Sequence, residues 1–345
     1  MSSNPRLSWE ALTLKLRNPF RLSSGVSTTR TAHWIRLEND QGWGEGTIPP
    51  YYNIKDEDMV AFWKKAALKN TPFPDEPTNI PNWIGQDGPA PARAAIDLAL
   101  HDRIGRKRDI PLYKLLGLPR PKPVVTAFTI SIASPEEMAQ MAVDRQDFPI
   151  IKLKLGSEDD ISRVAAVRKA RPDVRLFVDA NAAWSPENAV KLVQALSPYH
   201  IELIEQPVAG DDIEGLGYVQ RHTDIPVVAD ESLKTLDDLE VLSRAGVQGI
   251  NLKIMKLGGL SPTMQMLKRG KELGLKIMLG CMAETSLGVT AMAHLSAWGD
   301  WFDLDAPLLI ANDPFIGIQY DLAQIILPAC PGIGINRSEE LIDKD

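Results

Sequence analysis

Eight positions recur at a nearly constant interval between residues 129 and 303: Thr129, Lys154, Asp179, Glu205, Asp230, Lys253, Gly280 and Asp303. The steps between them are 25, 25, 26, 25, 23, 27 and 23 residues. Each falls near the end of a short apolar run: VVTAFTI, IIKLKLG, RLFVDAN, IELIEQP, IPVVADE, GINLKIM, KIMLGCM and WFDLDAP. Helical stretches lie between most of these runs. One strand and one helix per ~25 residues, eight times over, predict a (β/α)8-type barrel. The period is one of structure, with no repeat of the sequence itself. Three helix starts are marked by a serine N-cap followed by proline at the first helical position: Ser134-Pro135, Ser185-Pro186 and Ser261-Pro262. Glu137 completes a capping box at the first. Strand alternation places Lys152 and Lys154 on one face of their strand, and Ile151, Leu153 and Leu155 on the other.

Residues 1–120 have a different grammar. LSWEALTLKL, TAHWIRLEND and GWGEGTI read as antiparallel strands, with a hairpin turn at NDQG. Helical stretches follow at DEDMVAFWKKAALK and ARAAIDLALHDRIGR. The expected organisation is an α+β domain over 1–120, a barrel over 121–310, and a tail, about 311–345, that returns to the first domain.

The 345 residues carry 38 Lys and Arg against 45 Asp and Glu, a net charge of −7 that disfavours nucleic-acid and anionic-membrane surfaces. The first twenty residues have no apolar core of a signal peptide, and no run of about 18 apolar residues occurs. Cys281 and Cys330 are the only cysteines, too few for a disulfide framework. A cytoplasmic protein with no nucleic-acid or membrane partner is expected, and a homo-oligomer.

Barrel active sites form at the C-terminal ends of the strands. Around that rim the sequence places Lys152-x-Lys154, Asp179, Glu205, Asp230, Lys253 and Asp303-x-Asp305. Three carboxylates on consecutive strands suit a hard divalent cation such as Mg²⁺, which takes oxygen ligands. Lysines on either side would flank whatever that cation holds. Asp303 and Asp305 share a strand face by alternation, and two like charges so close call for a cation.

KLKLG, VDAN, IEQP, ADES and NLKIMKLGG, with GWGE at 42–45, resemble the signature segments of the enolase superfamily in its muconate-lactonizing subgroup. FDLDAP at 302–307 resembles the last-strand motif of the dipeptide epimerases. The resemblance covers nearly the whole chain. It implies an α/β fold, a modified (β/α)7β TIM-type barrel with an α+β N-terminal capping domain. It implies one Mg²⁺ per subunit on Asp179, Glu205 and Asp230, with Lys154 and Lys253 as paired acid/base catalysts. The implied reaction removes the proton α to a carboxylate, giving an enediolate, and returns it on the other face, which inverts the C-terminal residue of a dipeptide. Asp303 and Asp305 are then expected to receive the substrate's N-terminal ammonium. Thr129, Lys152, Cys281 and Met282 are expected at the substrate site, Lys152 also contributing to the cationic field that frees Lys154 as a base. Asn181, Glu231 and Glu284 are expected behind these groups, with Glu284 orienting Lys253.

Two loops of the capping domain are expected to read the substrate side chains, residues 18–30 and 49–58. Family members acting on Ala-Glu carry an arginine in the first loop, where alignment on Pro19-Phe20 puts Gly25. A glutamate-ended substrate is therefore disfavoured, with Arg21 and Arg30 nearby as possible substitutes. Tyr51 and Tyr52 are expected as apolar walls and Asp56, Glu57 and Asp58 as an acidic rim. Other readings keep the fold and change the reaction to cycloisomerisation or an o-succinylbenzoate synthase-like elimination. Asp303-x-Asp305 speaks against these, since such substrates have no ammonium. A Schiff-base aldolase would not need three carboxylates, and a ligand-binding barrel would exchange no substrate protons.

Overall fold

The computed structural model describes residues 6–23, 25–49 and 52–338. The chain opens with a three-stranded antiparallel sheet, Leu7–Leu22, Gly25–Leu37 and Gly42–Thr47. The connection after Leu37 is made by Glu38, Asn39 and Asp40, all left-handed, at φ 46°, 58° and 68°. The long hairpin loses register between Lys15 and Phe20. Pro19 lies inside that irregularity, where the missing ladder donor costs least.

The GWGEG segment explains how this sheet meets the rest. Its glycines share one face, and the helix Ala90–Lys107 lies directly on it: a Cβ at Gly44 would stand 1.9 Å from the Ala95 carbonyl oxygen. Glu45, between two glycines, points the other way. There it accepts hydrogen bonds from the Thr285 and Gly288 amides, both at 3.0 Å, joining the sheet to the barrel.

Eight parallel strands form the barrel wall: Phe128–Ile130, Ile150–Lys154, Arg175–Asp179, Ile201–Glu205, Val227–Ala229, Gly249–Leu252, Lys276–Gly280 and Trp301–Asp303. They are ordered as in the sequence, and the Ala127 amide donates to Phe302 O at 2.9 Å, bringing first and last together. With one helix layer after each of the first seven, this is the (β/α)7β arrangement expected above. Alternation stacks the interior. Ile150, Phe177, Leu203, Val228, Met278 and Trp301 form an apolar floor. Two residues further along the same strands stand Lys152, Asp179, Glu205, Asp230, Gly280 and Asp303. Ile151, Leu153 and Leu155 point outward into the main core beneath the helices.

Three local expectations need correction. The run Val124–Ile130 is two strands: Val124–Val125 pairs with Gln324–Ile326 of the tail, and only Phe128–Ile130 joins the barrel. Ser134 and Ser185 are N-caps, the first with its full capping box, but Ser261 is inside its helix, Leu260–Glu272. That helix start is served by Asp97 of the buried helix, which accepts from the Leu260 amide at 2.6 Å and from the Ser261 hydroxyl at 2.6 Å. Asp305 lies beyond the last barrel strand, at φ −100° and ψ 0°, so alternation is not what pairs it with Asp303.

The tail meets the N-terminal sheet at several points. Leu16 bridges Ile310, the Lys15 amide donates to Asn312 Oδ1 at 2.7 Å, and Phe315 lies 5.3 Å from Trp34. Among the described residues no helix is long and apolar enough to cross a membrane.

Candidate active site

The parallel register aligns the strand ends at one level: Lys154 stands beside Asp179, and Asp179 beside Glu205. Asp230 and Lys253 each follow their strand by one residue, and Asp303 ends the eighth. In a ring of eight, the second and sixth strands are four apart. Lys154 and Lys253 therefore stand on opposite walls of the barrel mouth. Asp179, Glu205 and Asp230 fill the arc between them on the third to fifth strands, and Asp303 and Thr129, on the eighth and first, fill the opposite arc.

Lys152, Lys154 and Lys253 are each buried and paired with a rim carboxylate. The Lys152 ammonium is wholly buried, 2.5 Å from Glu205 Oε2, 2.7 Å from Asp303 Oδ2 and 3.0 Å from Asp179 Oδ2. Burial opposes its charge, but Asp303, Glu205 and Asp179 outweigh that and hold it well above the ordinary lysine range. Lys154 Nζ donates to Asp179 Oδ2 at 2.7 Å, and Lys253 Nζ to Asp230 Oδ2 at 2.6 Å. Burial would raise Asp179 and Asp230, yet these lysines hold both below the usual carboxylate range. Lys152 is thus held as a buried cation by three carboxylates at once.

Around the rim the carboxyl groups of Asp179, Glu205, Asp230, Glu231, Glu284, Asp303 and Asp305 outnumber the ammoniums of Lys152, Lys154, Lys253 and Lys256. The shortfall appears where it is least relieved. Burial, then the Asp179 charge, pushes Glu205 up to about 7. Burial, then Asp230, does the same to Glu231, and burial, then Asp303, to Asp305, both up to about 7. A divalent cation would relieve this excess of carboxylates, and three hard oxygen donors on consecutive strands suit it. As the side chains stand, no trio of His, Cys, Asp or Glu among the described residues surrounds a metal position. The lysine ammoniums occupy that role, as stand-in cations on Asp179 and Asp230.

Asp303 and Asp305 converge through Thr129. Its hydroxyl donates to Asp303 Oδ1 at 3.1 Å and its amide to Asp305 Oδ2 at 2.6 Å. All three line one cavity with Lys154, Lys253, Cys281 and Met282. The Cys281 thiol is turned to the Asp303 carbonyl at 3.2 Å. Asn181, left-handed at φ 43°, donates its amide to Asp179 Oδ1 at 2.9 Å and its side chain to Glu231 Oε1 at 3.3 Å. Glu284 is buried, accepts from the Met282 amide at 2.7 Å, and is raised to about 8 by burial and then by Glu45.

Several groups went unread in the sequence. Lys256 donates to Asp230 Oδ1 at 2.7 Å and to the Asp230 and Asn251 carbonyls at 2.6 and 2.9 Å. Asn251 Nδ2 donates to Glu205 Oε1 at 2.8 Å, and Gln206 Oε1 accepts the Asp230 amide at 2.9 Å. The signal for Lys256 was its place one helical turn after Lys253 in NLKIMKLGG.

The specificity loops divide. Leu16, Phe20, Leu22 and Pro49 wall the cavity, and Arg30 is its one arginine. Gly25 and Arg21 are exposed and outside its lining. Tyr52 packs on the main core, away from the lining, and Tyr51 lies outside the described residues. Asp56, Glu57 and Asp58 form the first turn of the helix Asp56–Ala67, with Asp56 2.9 Å from His33, so they are a helix start rather than a rim of the site.

Residues 135–341 match the family model described as enolase C-terminal domain-like. The hydrophobic dipeptide epimerase of Enterococcus faecalis is 37% identical, with 94% of this chain and 96% of that protein covered. The L-Ala-D/L-Glu epimerase of Bacillus subtilis is 35% identical, with 96% of each covered. A crystal structure of the dipeptide epimerase from Enterococcus faecalis, complexed with Mg and L-Leu-L-Tyr, superimposes with a TM-score of 0.88 at 34% identity, covering 96% of this chain and 99% of that one. The barrel, its cap and these matches agree: the chain belongs to the enolase C-terminal domain-like family.

Proposed function

We propose that the protein is a Mg²⁺-dependent dipeptide epimerase that inverts the α-carbon of the substrate's C-terminal residue by two-base 1,1-proton transfer. The carrying observation is that Lys154 and Lys253, from opposite walls, line one cavity with Asp303 and Asp305. The relatives named above support the substrate class. Asp179, Glu205 and Asp230 would hold the cation, where lysine ammoniums now neutralise two of them. When bound, Mg²⁺ supplies positive charge to the substrate carboxylate next to the acidified carbon.

The chain's own groups do the rest. A dipeptide spans from the carboxylate arc to the Asp303–Asp305 arc, which leaves its C-terminal α-carbon between the two lysines. One neutral amine takes the α-proton, and the opposite ammonium returns a proton to the other face. Lys152 keeps Asp179, Glu205 and Asp303 compensated and in place. Asp303 spends Oδ1 on Thr129 and Oδ2 on Lys152, and Asp305 adds a second carboxylate within reach of the ammonium. The apolar walls Leu16, Phe20 and Leu22 favour a hydrophobic side chain over glutamate at the C-terminal position, with Arg30 as the group to change if glutamate is accepted.

The test is blocking the amine. N-acetylation leaves the aspartates without their cation, a loss of about 2–3 kcal/mol, or roughly 30- to 160-fold in kcat/KM. An acetylated dipeptide turned over as well as the free one would remove the basis for the reading.

A further inference from the structure

The cap and the barrel meet through two buried carboxyl groups that the reaction leaves unexplained. Glu45 comes from the cap strand Gly42–Thr47, and Glu284 from the loop after the seventh barrel strand. They converge on Gly288, in the first turn of the helix Ser286–Ala293. A Cβ at that glycine would collide with Glu284 Oε2 and stand 3.1 Å from Glu45 Oε2. The two groups are held differently. Glu45 accepts two hydrogen bonds at each oxygen: the Thr47 hydroxyl at 2.7 Å and the Thr285 amide at 3.0 Å on Oε1, the Thr285 hydroxyl at 2.5 Å and the Gly288 amide at 3.0 Å on Oε2. All four partners are donors, so the ionised form fits and a proton has no place there. The helix start favours the same charge. Glu284 accepts the Met282 amide on Oε1, and its Oε2 is the atom that comes up against Gly288. Other titratable groups face the pair. Asp313 accepts from the Ser286 amide and hydroxyl, both at 2.7 Å, and adds negative charge beside Glu45. Lys253 acts on Glu284 from the sixth strand, and the Cys281 thiol is a further neighbour of Glu284.

We infer that Glu45 and Glu284 share a single proton at neutral pH, held on Glu284, and that this proton fastens the cap to the barrel. The inference goes beyond the dipeptide reading and does not depend on it. Without the proton, two like charges would lie out of water across the joint, one on each side. In the unfolded chain Glu284 ionises at the ordinary value of 4.5, whereas in the folded chain burial and then Glu45 hold it at about 8. The folded chain therefore carries one more proton between those values. The stability this gives is fully present below the lower value and is lost as the pH rises through the upper.

The test is the pH dependence of Tm, with Mg²⁺ present, in the wild type, Glu284→Gln, Glu45→Gln and the double variant. Glutamine copies the shape of the neutral acid and cannot ionise. From about pH 5.5 to about pH 7.5 the Glu284→Gln protein should gain about 5 °C in Tm relative to the wild type. A contact that is merely structural would give a difference constant with pH. In the Glu45→Gln background the same substitution should gain at least about 2 °C less, because the charge that keeps the proton in place is gone. Infrared difference spectroscopy between the wild type and Glu284→Gln reads the proton without the Glu45 variant. The carbonyl stretch of a protonated carboxyl should be present at neutral pH in the wild type and lost in the variant. A Tm difference constant with pH, an equal gain in both backgrounds, or no such band in the wild type would overturn the inference.

Discussion

Replacing Lys253 by alanine should stop epimerisation in both directions, and replacing Lys154 should do the same, with losses of about 10³-fold or more in kcat. On the proposed two-base mechanism each lysine serves one face of the α-carbon, so inversion needs both while proton exchange needs only one. By resemblance Lys154 faces the proton of the L residue and Lys253 that of the D residue. The Lys154→Ala protein should then still exchange the α-proton of the D substrate with solvent, and Lys253→Ala that of the L substrate. Proton NMR in D₂O, following each diastereomer separately, reads both quantities. A variant that epimerises at the wild-type rate would exclude a two-base mechanism.

The second large effect is on stability. Among the described residues, Lys152 is the cation that lies within ion-pair distance of Asp179, Glu205 and Asp303 together, and it is wholly buried. Lys152→Met keeps the stem and removes the charge, so three buried carboxylates lose their common partner. Breaking a buried ion pair from one side costs about 3–5 kcal/mol, because the other charge is left uncompensated. At roughly 2 °C per kcal/mol for a chain of this size, Tm should fall by about 6–10 °C. Adding Asp303→Asn to Lys152→Met removes one of the stranded charges and should restore part of the loss. Thermal unfolding followed by circular dichroism checks both variants. An unchanged Tm in Lys152→Met would mean that its ammonium is not the group that balances the barrel interior.

The barrel was legible because its period is set by local pattern. Each strand end but the seventh, where Gly280 stands, carries a polar residue where the interior opens to the rim, and the helices between are long enough to count. The rim residues were legible for the same reason: alternation puts Lys152 and Asp303 one layer above the apolar floor of Ile150 and Trp301. What escaped depends on partners remote in sequence. Ser261-Pro262 has every local mark of a helix start, but Asp97 arrives from 163 residues away to satisfy the amides there. Val124–Val125 reads as the start of a barrel strand until the tail strand Gln324–Ile326 takes it. Nothing in the residues around Lys256 shows its partners, and only the folded chain closes three oxygen acceptors around it. The pairing of Asp303 with Asp305 was foreseen for the wrong reason, since Thr129 holds them together and strand alternation does not.

The central claim is proton exchange at the α-carbon of a dipeptide's C-terminal residue, supported by a divalent cation. Its most direct test is mass spectrometry of a library of free L,L-dipeptides incubated with the protein in D₂O, with Mg²⁺ and again with excess EDTA after the metal content is verified as nil. The account predicts a gain of one mass unit, at the C-terminal residue, for dipeptides with apolar side chains, and no gain under EDTA. Full exchange in verified absence of metal, or no exchange across the library with Mg²⁺ present, would contradict it.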